Sequence, residues 1–206
     1  MPPFRRLEEH TVYDGSLIRV ATAWFEAPDG SRFEREIVHH PGAVVVVPVT
    51  ASGAVLMVRQ YRAAVGEELL EVPAGKRDVD GEPTEITAQR ELAEEVGRRA
   101  RRLELLATFY NSPGFTDEHT WLYLAEDLEV VPHDPQGAEE LHMAVEEIAL
   151  DDVPGLIGRG AIVDAKSIVG LCLARSRRTL EAAPGYTRSD DRRHDPEPAD
   201  DARGRA

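Results

Sequence analysis

Three glutamates lie close together near the middle of the chain, at Glu91, Glu94 and Glu95. On a helix, residues four apart point the same way, so the carboxylates of Glu91 and Glu95 would lie side by side. Like charges at this spacing destabilise an isolated helix by about 0.2–0.5 kcal/mol. A hard divalent cation would relieve the repulsion, because Mg²⁺ takes one or two protein carboxylates and keeps its other positions for water and substrate phosphate. The spacing therefore predicts a cation site, and the alternative is an acidic helix face that is only solvated.

The helix that would carry these glutamates has recognisable ends. Pro83 suits the first helical position, where a missing N–H costs nothing, and Gly97 suits the residue just past the end. Helical spacing places an apolar arc opposite the glutamates, and we expect this arc to face the core. The arc consists of Ile86, Leu92, Ala93 and Val96.

The segment around this helix resembles the signature of the Nudix hydrolases: a glycine, a spacer, a glutamate, seven residues, and then Arg-Glu-aliphatic-x-Glu-Glu-x-Gly. The positions that match are Gly75, Glu82, Arg90, Glu91, Leu92, Glu94, Glu95 and Gly97. We call this run, residues 75–97, the Nudix box. Its spacer has six residues where five are usual, and Arg98 follows it where an aliphatic residue is usual. The extra residue falls in a loop, where insertions are tolerated, and neither departure removes a carboxylate.

The resemblance implies a fold and a metal site. The fold is of the α/β (α+β) class, an α/β/α sandwich with a mixed β-sheet between helices, preceded by an N-terminal β-hairpin region. Glu91, Glu95 and the backbone carbonyl of Ala74 are the implied ligands of Mg²⁺, with Mn²⁺ as a substitute ion. Glu94 is implied in a supporting catalytic role. Arg90 is implied as the residue that holds the carboxylates in place, and its i,i+4 spacing from Glu94 suits an ion pair.

Hydrolysis of a pyrophosphate also needs a base that activates water. Relatives that hydrolyse ADP-ribose take a glutamate from a loop well downstream of the box, and Glu139 and Glu140 lie in the matching segment. The offset from Met143 favours Glu140 as the general base. The alternative is that both are solvated acids.

Two further stretches resemble ADP-ribose pyrophosphatases, Val58–Arg62 with the sequence VRQYR and the EVPAG run that begins at Glu71. The resemblance implies a phosphate or neighbouring substrate contact for Arg62, with Arg59 as a second substrate-binding candidate. It implies a polar contact between Glu71 and the nucleotide. The alternative for the two arginines is a solvated strand edge.

A proline about 15 residues past the box separates ADP-ribose-type members from other Nudix subgroups, and Pro113 lies there. In this loop Ser112 and the backbone of Gly114 are expected to approach a ribose. Glu118 is expected to accept hydrogen bonds from the ribose hydroxyls. The alternative is an ordinary Ser-Pro-Gly turn.

The function that the resemblance implies is Mg²⁺-dependent hydrolysis of ADP-ribose to AMP and ribose 5-phosphate. One alternative is another nucleoside diphosphate linked to a different group, such as a GDP-sugar or a dinucleotide. A second alternative is a non-catalytic sensor that binds ADP-ribose. Such sensors usually lose box carboxylates and carry a DNA-binding appendage, whereas this chain keeps all three glutamates and shows no helix-turn-helix pattern.

Alternating and β-branched runs predict the strands that would position these residues. Leu17–Glu26 and Arg32–His39 flank the turn Pro28–Gly30 and are predicted to form a hairpin. The other predicted strands are Ala43–Val49, Ala54–Tyr61, Glu68–Val72, Leu103–Tyr110, Thr120–Ala125 and Met143–Ile148. Residues 127–137 are predicted to form a loop, and Asp151–Leu156 and Asp164–Arg178 to form helices.

The chain divides into three predicted parts. Residues 1–40 are N-terminal strands, which the resemblance implies as the dimerisation element of a homodimer. Trp24 and Phe25 are candidates for the interface or for base stacking, with buried core as the alternative. Residues 41–182 are the hydrolase domain. Residues 183–206 form an acidic tail without large aliphatic residues, which we predict to be disordered.

Composition narrows the classes of protein. A formal net charge of −14 argues against a nucleic-acid partner, which needs a basic footprint. The longest apolar run, Ala43–Val47, is too short to span a membrane, and the first residues lack the apolar stretch of a signal peptide. We therefore expect a cytoplasmic protein without a membrane partner. Cys172 is the only cysteine, and its apolar neighbours predict a core position rather than a nucleophile.

Overall fold

The computed structural model describes residues 3–133 and 140–181, and at residue 140 it describes the backbone only. The strands are β1 (Arg5–Asp14), β2 (Arg19–Glu26), β3 (Arg32–His39), β4 (Ala43–Pro48), β5 (Ala54–Arg62), β6 (Glu67–Glu71), β7 (Ala74–Lys76), β8 (Arg98–Tyr110), β9 (His119–Val130) and β10 (Ala144–Ala149). The helices are α1 (Thr84–Val96), α2 (Val153–Gly158) and α3 (Ala165–Glu181), with 3-10 turns at Glu140–His142 and Leu150–Asp152. Glu139 and the predicted tail, residues 183–206, lie outside the described residues.

The first three strands form an antiparallel sheet in the order β1-β2-β3. The turn between β2 and β3 closes through a hydrogen bond from the Ala27 amide to the Ser31 carbonyl at 2.8 Å. Gly30 has a φ of 85° in this turn, a conformation that glycine adopts without steric cost. The predicted hairpin is therefore confirmed. Phe25 stacks on Phe33 within this sheet, with ring centroids 5.5 Å apart, while Trp24 is 37% exposed.

The remaining strands form a mixed sheet, β7-β4-β9-β8, and a smaller antiparallel sheet, β10-β5-β6. In the mixed sheet β4 runs parallel to β9 and antiparallel to β7. Every residue of β4 is buried, as its apolar run predicted. Strand β4 thus lies at the centre of the molecule, and its neighbour β7 belongs to the Nudix box.

Helices cover the two faces of the mixed sheet. Val44 and Val46 of β4 share an apolar core with Leu92 of α1. Val45 and Val47 point the other way, because successive side chains on a strand alternate, and they share a second core with Leu171 of α3. This arrangement is the predicted α/β/α sandwich.

Helix α1 begins one residue later than predicted, because Pro83 is its N-cap residue rather than its first helical residue. Its end is as predicted, since Gly97 adopts a left-handed conformation and its amide donates to the Ala93 carbonyl at 3.2 Å. The expected core position of Ile86 is wrong, because this side chain is 55% exposed. Only the later part of the apolar arc, with Leu92 and Val96 buried, packs against the sheet.

Two other expectations need correction. Residues 127–130 are strand rather than loop, because β9 continues to Val130, which pairs with Arg98 at the start of β8. Within this part of β9, Asp127 adopts a left-handed backbone conformation with a φ of 55°. Cys172 is exposed rather than buried, because α3 turns Leu171 and Ala174 toward the core and Cys172 lies off that stripe. Among the described helices, none combines the length and the apolar character needed to cross a bilayer.

Candidate active site

A cleft of about 580 Å³ lies where the Nudix box meets strand β5 and the beginning of helix α3. Its acidic lining residues are Asp78, Glu91, Glu94, Glu95 and Glu118, and its basic ones are Arg62, Lys76, Arg90 and Lys166. The structure therefore brings both predicted metal-binding glutamates into one cleft with two of the predicted arginines.

Glu91 occupies space that only a glycine leaves open. A Cβ atom at residue 75 would overlap the carboxyl carbon and both carboxylate oxygens of Glu91. Because β7 runs so close to α1, the Glu91 carboxylate lies against the Gly75 backbone and Glu91 is only 5% exposed. This close approach explains why the box needs glycine at its first position.

Glu95 lies one helical turn further on and is 4% exposed. Its Oε2 atom accepts a hydrogen bond from the Ala74 amide at 3.1 Å. This bond fixes Ala74, whose carbonyl is the predicted backbone ligand, beside the Glu95 carboxylate. The glutamate side of α1 is therefore buried against β7, a packing that the helical arcs alone did not predict.

Arg90 binds three carboxylates of the Nudix box at once. Its Nη1 atom donates to Glu91 Oε1 at 2.7 Å and to Glu94 Oε2 at 3.1 Å, and its Nη2 atom donates to Glu82 Oε2 at 3.4 Å. Burial opposes the charge of Arg90, but the three carboxylates outweigh it and raise the pKa of the guanidinium above its ordinary value. Thr87 also donates to Glu82 Oε2, at 2.7 Å, and so ties the first signature glutamate to the helix.

The donors at this site fit a hard divalent cation. Two buried carboxylates and a backbone carbonyl are the oxygen ligands that Mg²⁺ prefers. Within the described parts of the chain, no three His, Cys, Asp or Glu side chains form a complete metal cage. A cation here would keep positions for water and for substrate phosphate, as Mg²⁺ sites commonly do.

Arg62 lines the cleft, and two hydrogen bonds to Glu71 fix its guanidinium group. Its Nε and Nη2 atoms donate to the two carboxylate oxygens of Glu71, each at 2.8 Å. These bonds raise the pKa of Arg62 although burial acts against its charge. Glu71 is 1% exposed and does not line the described cleft. The structure thus places Glu71 where it positions Arg62 rather than where it faces a nucleotide.

Arg59 lies away from the cleft. Side chains on a strand alternate between faces, so Arg59 points to the opposite side of β5 from Gln60 and Arg62. Its Nε atom donates to Glu146 Oε1 on β10 at 2.6 Å. Gln60 takes the position in the cleft instead, and its Nε2 atom is buried without a hydrogen-bond partner in the described structure.

The loop after β8 reaches the cleft through its last residue. Glu118 lines the cleft. The predicted ribose contacts Ser112 and Gly114 do not belong to its lining residues. The Ser112 carbonyl closes a turn by accepting from the Phe115 and Thr116 amides, each at 3.1 Å. The Phe115 carbonyl accepts from the Val38 amide at 2.8 Å, which ties the loop to the end of β3.

The sequence analysis missed several cleft residues, namely His40, Gln60, Lys76 and Lys166. Gln60 could have been found from strand alternation within the VRQYR stretch. Lys166 is distant in sequence from the box, and no local pattern points to it. Glu140 lies in the 3-10 turn Glu140–His142, but its side chain lies outside the description, so its role as a base stays a prediction.

Comparison with known proteins decides the family. Residues 38–168 match the model of the NUDIX domain. The chain belongs to the Nudix family. The matched range contains the box, the cleft residues of β5 and the first turn of α3.

The Nudix chain is similar over most of its length to three characterised relatives. It is 37% identical over 183 residues to the ADP-ribose pyrophosphatase of Bacillus subtilis, with 86% of this chain and 98% of the relative covered. It is 34% identical over 177 residues to the methanol dehydrogenase activator of Bacillus methanolicus, with 86% and 95% covered. It is 35% identical over 181 residues to the ADP-ribose pyrophosphatase of Mycobacterium tuberculosis, with 88% and 87% covered.

A solved structure confirms the fold. The chain of a crystal structure described as an ADP compounds hydrolase superposes with a TM-score of 0.78 at 22% identity. The match covers 88% of this chain and 97% of the other. Nudix hydrolases generally need a divalent metal ion, which agrees with the buried carboxylates of α1.

Proposed function

We propose that this Nudix hydrolase cleaves the pyrophosphate of ADP-ribose to AMP and ribose 5-phosphate in a reaction that depends on Mg²⁺. The observation that carries the proposal is the pair of buried carboxylates, Glu91 and Glu95, packed against Gly75 and Ala74 in a cleft that Arg62 also lines. Two relatives at 35–37% identity are named for hydrolysis of ADP-ribose, and this supports the choice of substrate.

The reaction consumes one water molecule. The water oxygen bonds to one phosphorus, the bond from that phosphorus to the bridging oxygen breaks, and the bridging oxygen leaves on the other phosphate. A divalent ion held at this site would neutralise charge on the phosphate oxygens and make the attacking water more acidic. The protons of the water pass to a base and then to solvent.

The chain's own residues divide this work. Glu91, Glu95 and the Ala74 carbonyl would hold the ion. Arg90 keeps the Glu91 carboxylate in place, and the Ala74 amide does the same for Glu95. Arg62 has N–H donors left after its two bonds to Glu71, and these can meet a phosphate oxygen. Because Glu71 fixes the guanidinium, Arg62 is already oriented when substrate arrives, which limits the entropy lost on binding.

We propose Glu140 as the general base. Metal-bound carboxylates are poor proton acceptors, so the base must come from outside the ligand set. The backbone of Glu140 lies three residues before Met143, which packs against the apolar core under α1. The next residue, Ala144, pairs with Arg59 on β5, the strand that also carries Arg62. The segment is thereby attached to the strand that carries Arg62, which supports the choice of Glu140, and Glu94 is the alternative base.

We propose that the N-terminal sheet forms a homodimer interface, and that the protein acts in the cytoplasm. Large apolar side chains remain exposed on this sheet in the single chain. Phe4 is 65% exposed, Val12 68% and Tyr13 57%. A contiguous patch of exposed apolar side chains is typical of a protein–protein interaction site. Light scattering at several protein concentrations tests the proposal, and a monomer at all concentrations would refute it.

A substrate panel tests the proposed reaction. ADP-ribose, a GDP-sugar, a dinucleotide and free ATP are incubated with the protein and Mg²⁺, and products are identified by chromatography and mass spectrometry. We expect AMP and ribose 5-phosphate in equal amounts from ADP-ribose, and none with EDTA. A higher kcat/KM for a GDP-sugar would overturn the substrate assignment, and binding of ADP-ribose without turnover would identify a sensor.

A further inference from the structure

The chain uses lysine in two places only. Of its 24 basic Lys and Arg residues, the sequence shows lysine at Lys76 and Lys166 and arginine everywhere else. Both lysines line the cleft that holds the box carboxylates. A chain that otherwise relies on arginine thus places its two ammonium groups at the proposed active site. Lysine differs from arginine in carrying a compact charge on a flexible stem with three rotatable donors.

Lys166 is built into the first turn of α3. Its Nζ atom donates to Asp164 Oδ1 at 2.7 Å, and the two side chains are only 22% and 12% exposed. Asp164 Oδ2 also accepts from the amide and from the hydroxyl of Ser167, each at 2.8 Å. The Asp164 carboxylate is therefore fixed at the start of the helix, and it holds the lysine in the cleft wall.

The same turn is bonded to the segment that leads into the box. The Ser167 hydroxyl accepts a hydrogen bond from the Val72 amide at 3.0 Å, and Ser167 is fully buried. Val72 lies between Glu71, which holds Arg62, and Ala74, which is bonded to Glu95. The position of Lys166 is thus set relative to both the arginine and the proposed metal site.

The charged residues near the start of α3 shift one another's pKa values. Burial alone would raise the pKa of Asp164, but the ammonium of Lys166 and the bonds from Ser167 outweigh it and lower the pKa. The Asp164 and Glu95 carboxylates also help to raise the pKa of Arg62. Asp164, Glu95, Lys166 and Arg62 therefore belong to one electrostatic cluster.

Lys166 and Arg90 differ in the number of carboxylates that hold them. Arg90 is engaged by Glu82, Glu91 and Glu94 at once. The ammonium of Lys166 has three N–H bonds and, among the residues that the structure describes, gives one to Asp164, which leaves two for an anion in the cleft.

We propose that Lys166 binds a phosphate oxygen of the substrate from the α3 wall of the cleft and so complements Arg62 in holding the pyrophosphate. This inference rests on the proposed function. The resting contact with Asp164 keeps the ammonium in place without substrate, and the flexible stem lets it turn to the phosphate when substrate binds.

Acetylation of lysine tests the contact without any turnover. The wild-type protein is treated with an N-hydroxysuccinimide ester of acetate in Mg²⁺, with and without the α,β-methylene analogue of ADP-ribose, in which CH₂ replaces the bridging oxygen. Mass spectrometry follows acetylation at Lys166, with the α-amino group as the internal reference. We expect the analogue to slow acetylation of Lys166 at least fivefold. An unchanged rate at a saturating concentration of analogue would overturn the proposal.

Variants separate the lost ammonium from other effects. Lys166→Met should raise KM for ADP-ribose about tenfold or more with a smaller change in kcat, and Lys166→Arg should recover part of the loss. Arg175→Met removes one positive charge from the same helix outside the cleft and should leave both constants unchanged. The double variant Lys166→Met/Asp164→Asn removes the carboxylate that the single variant leaves unpaired, while asparagine can still cap the helix.

The double variant decides the cause. If it keeps the raised KM, the missing ammonium is responsible and the proposal stands. If it regains the wild-type KM, repulsion from Asp164 caused the defect and the proposal fails. The wild-type arm of the kinetics tests the proposed function separately, because absence of ADP-ribose hydrolysis there refutes the reaction whatever Lys166 does.

Discussion

Helices α1 and α3 pack on opposite faces of the same mixed sheet and supply charge to one cleft in different ways. Helix α1 uses the middle of its length, where Glu91 and Glu95 are buried against the Gly75–Ala74 turn. Helix α3 uses its first turn, where Asp164 positions Lys166. The first arrangement needs a close approach of backbone to helix and is the proposed cation site. The second needs only a capped helix end and is the proposed anion contact.

The comparison predicts that changes on α1 abolish chemistry, whereas changes at α3 weaken binding. We expect the largest effect from Glu95→Gln, which removes the charge but keeps the volume and an oxygen for the Ala74 amide. Several kcal/mol of transition-state stabilisation should be lost, so kcat should fall by about 10²–10³-fold or more, with less change in KM. Steady-state kinetics at saturating Mg²⁺ measure this. The control Glu85→Gln lies on the exposed side of the same helix and should behave as wild type.

Glu140→Gln should have the next largest effect. It tests whether the segment before β10 supplies the general base. We expect kcat to fall by about 10²–10⁴-fold, as for a lost general base, with substrate affinity little changed. Glu139→Gln is the matched control and should do much less. Wild-type rates in both variants would place the base elsewhere, and Glu94 would be examined first.

Gly75→Ala tests the close approach on which the α1 site depends. The added methyl group must displace the Glu91 carboxylate, so we expect a raised Mg²⁺ requirement and a fall in kcat of about 10–100-fold, comparable to the loss of a group that orients metal ligands. Gly158→Ala is the control, because a Cβ there meets no atom within 4 Å. Titration of activity against Mg²⁺ measures both variants, and an unchanged Mg²⁺ dependence in Gly75→Ala would show that Glu91 is not held as described.

Cys172→Ser should have the smallest effect. Cys172 is exposed on α3, on the side away from the buried stripe, so the substitution should change the free energy of unfolding by no more than about 0.5 kcal/mol. We expect kcat to stay unchanged in reducing buffer. Thermal unfolding and kinetics on the purified variant are sufficient, and a large loss of rate with intact structure would point to a different chemistry.

The two helices also show what the sequence could predict. The α1 site follows from short-range spacing, because Glu91, Glu94, Glu95 and Arg90 share one helix and their contacts are within one turn. Helix and strand positions near the box were predicted for the same reason. The burial of the glutamate side was not predicted, because it depends on β7 packing against α1, which no helical periodicity encodes.

Contacts between distant parts of the chain were the ones missed. Lys166 reaches the cleft only because the first turn of α3 is bonded to Val72, 95 positions earlier in the chain. Arg59 was chosen with Arg62 from one motif, although alternation along β5 places the two on opposite faces. Strand alternation therefore carried information about Arg59 and Gln60 that the motif alone did not.

The central claim is that the buried carboxylates of α1 form the metal site of this hydrolase, and direct measurement of cation binding tests it without relying on turnover. Isothermal titration calorimetry of Mg²⁺ into the wild-type protein, with the α,β-methylene analogue of ADP-ribose present, should show saturable binding. The variant Glu91→Gln/Glu95→Gln, shown by circular dichroism to be folded, should show none in the same range. Equal Mg²⁺ affinity in the wild type and the folded double variant would contradict the account.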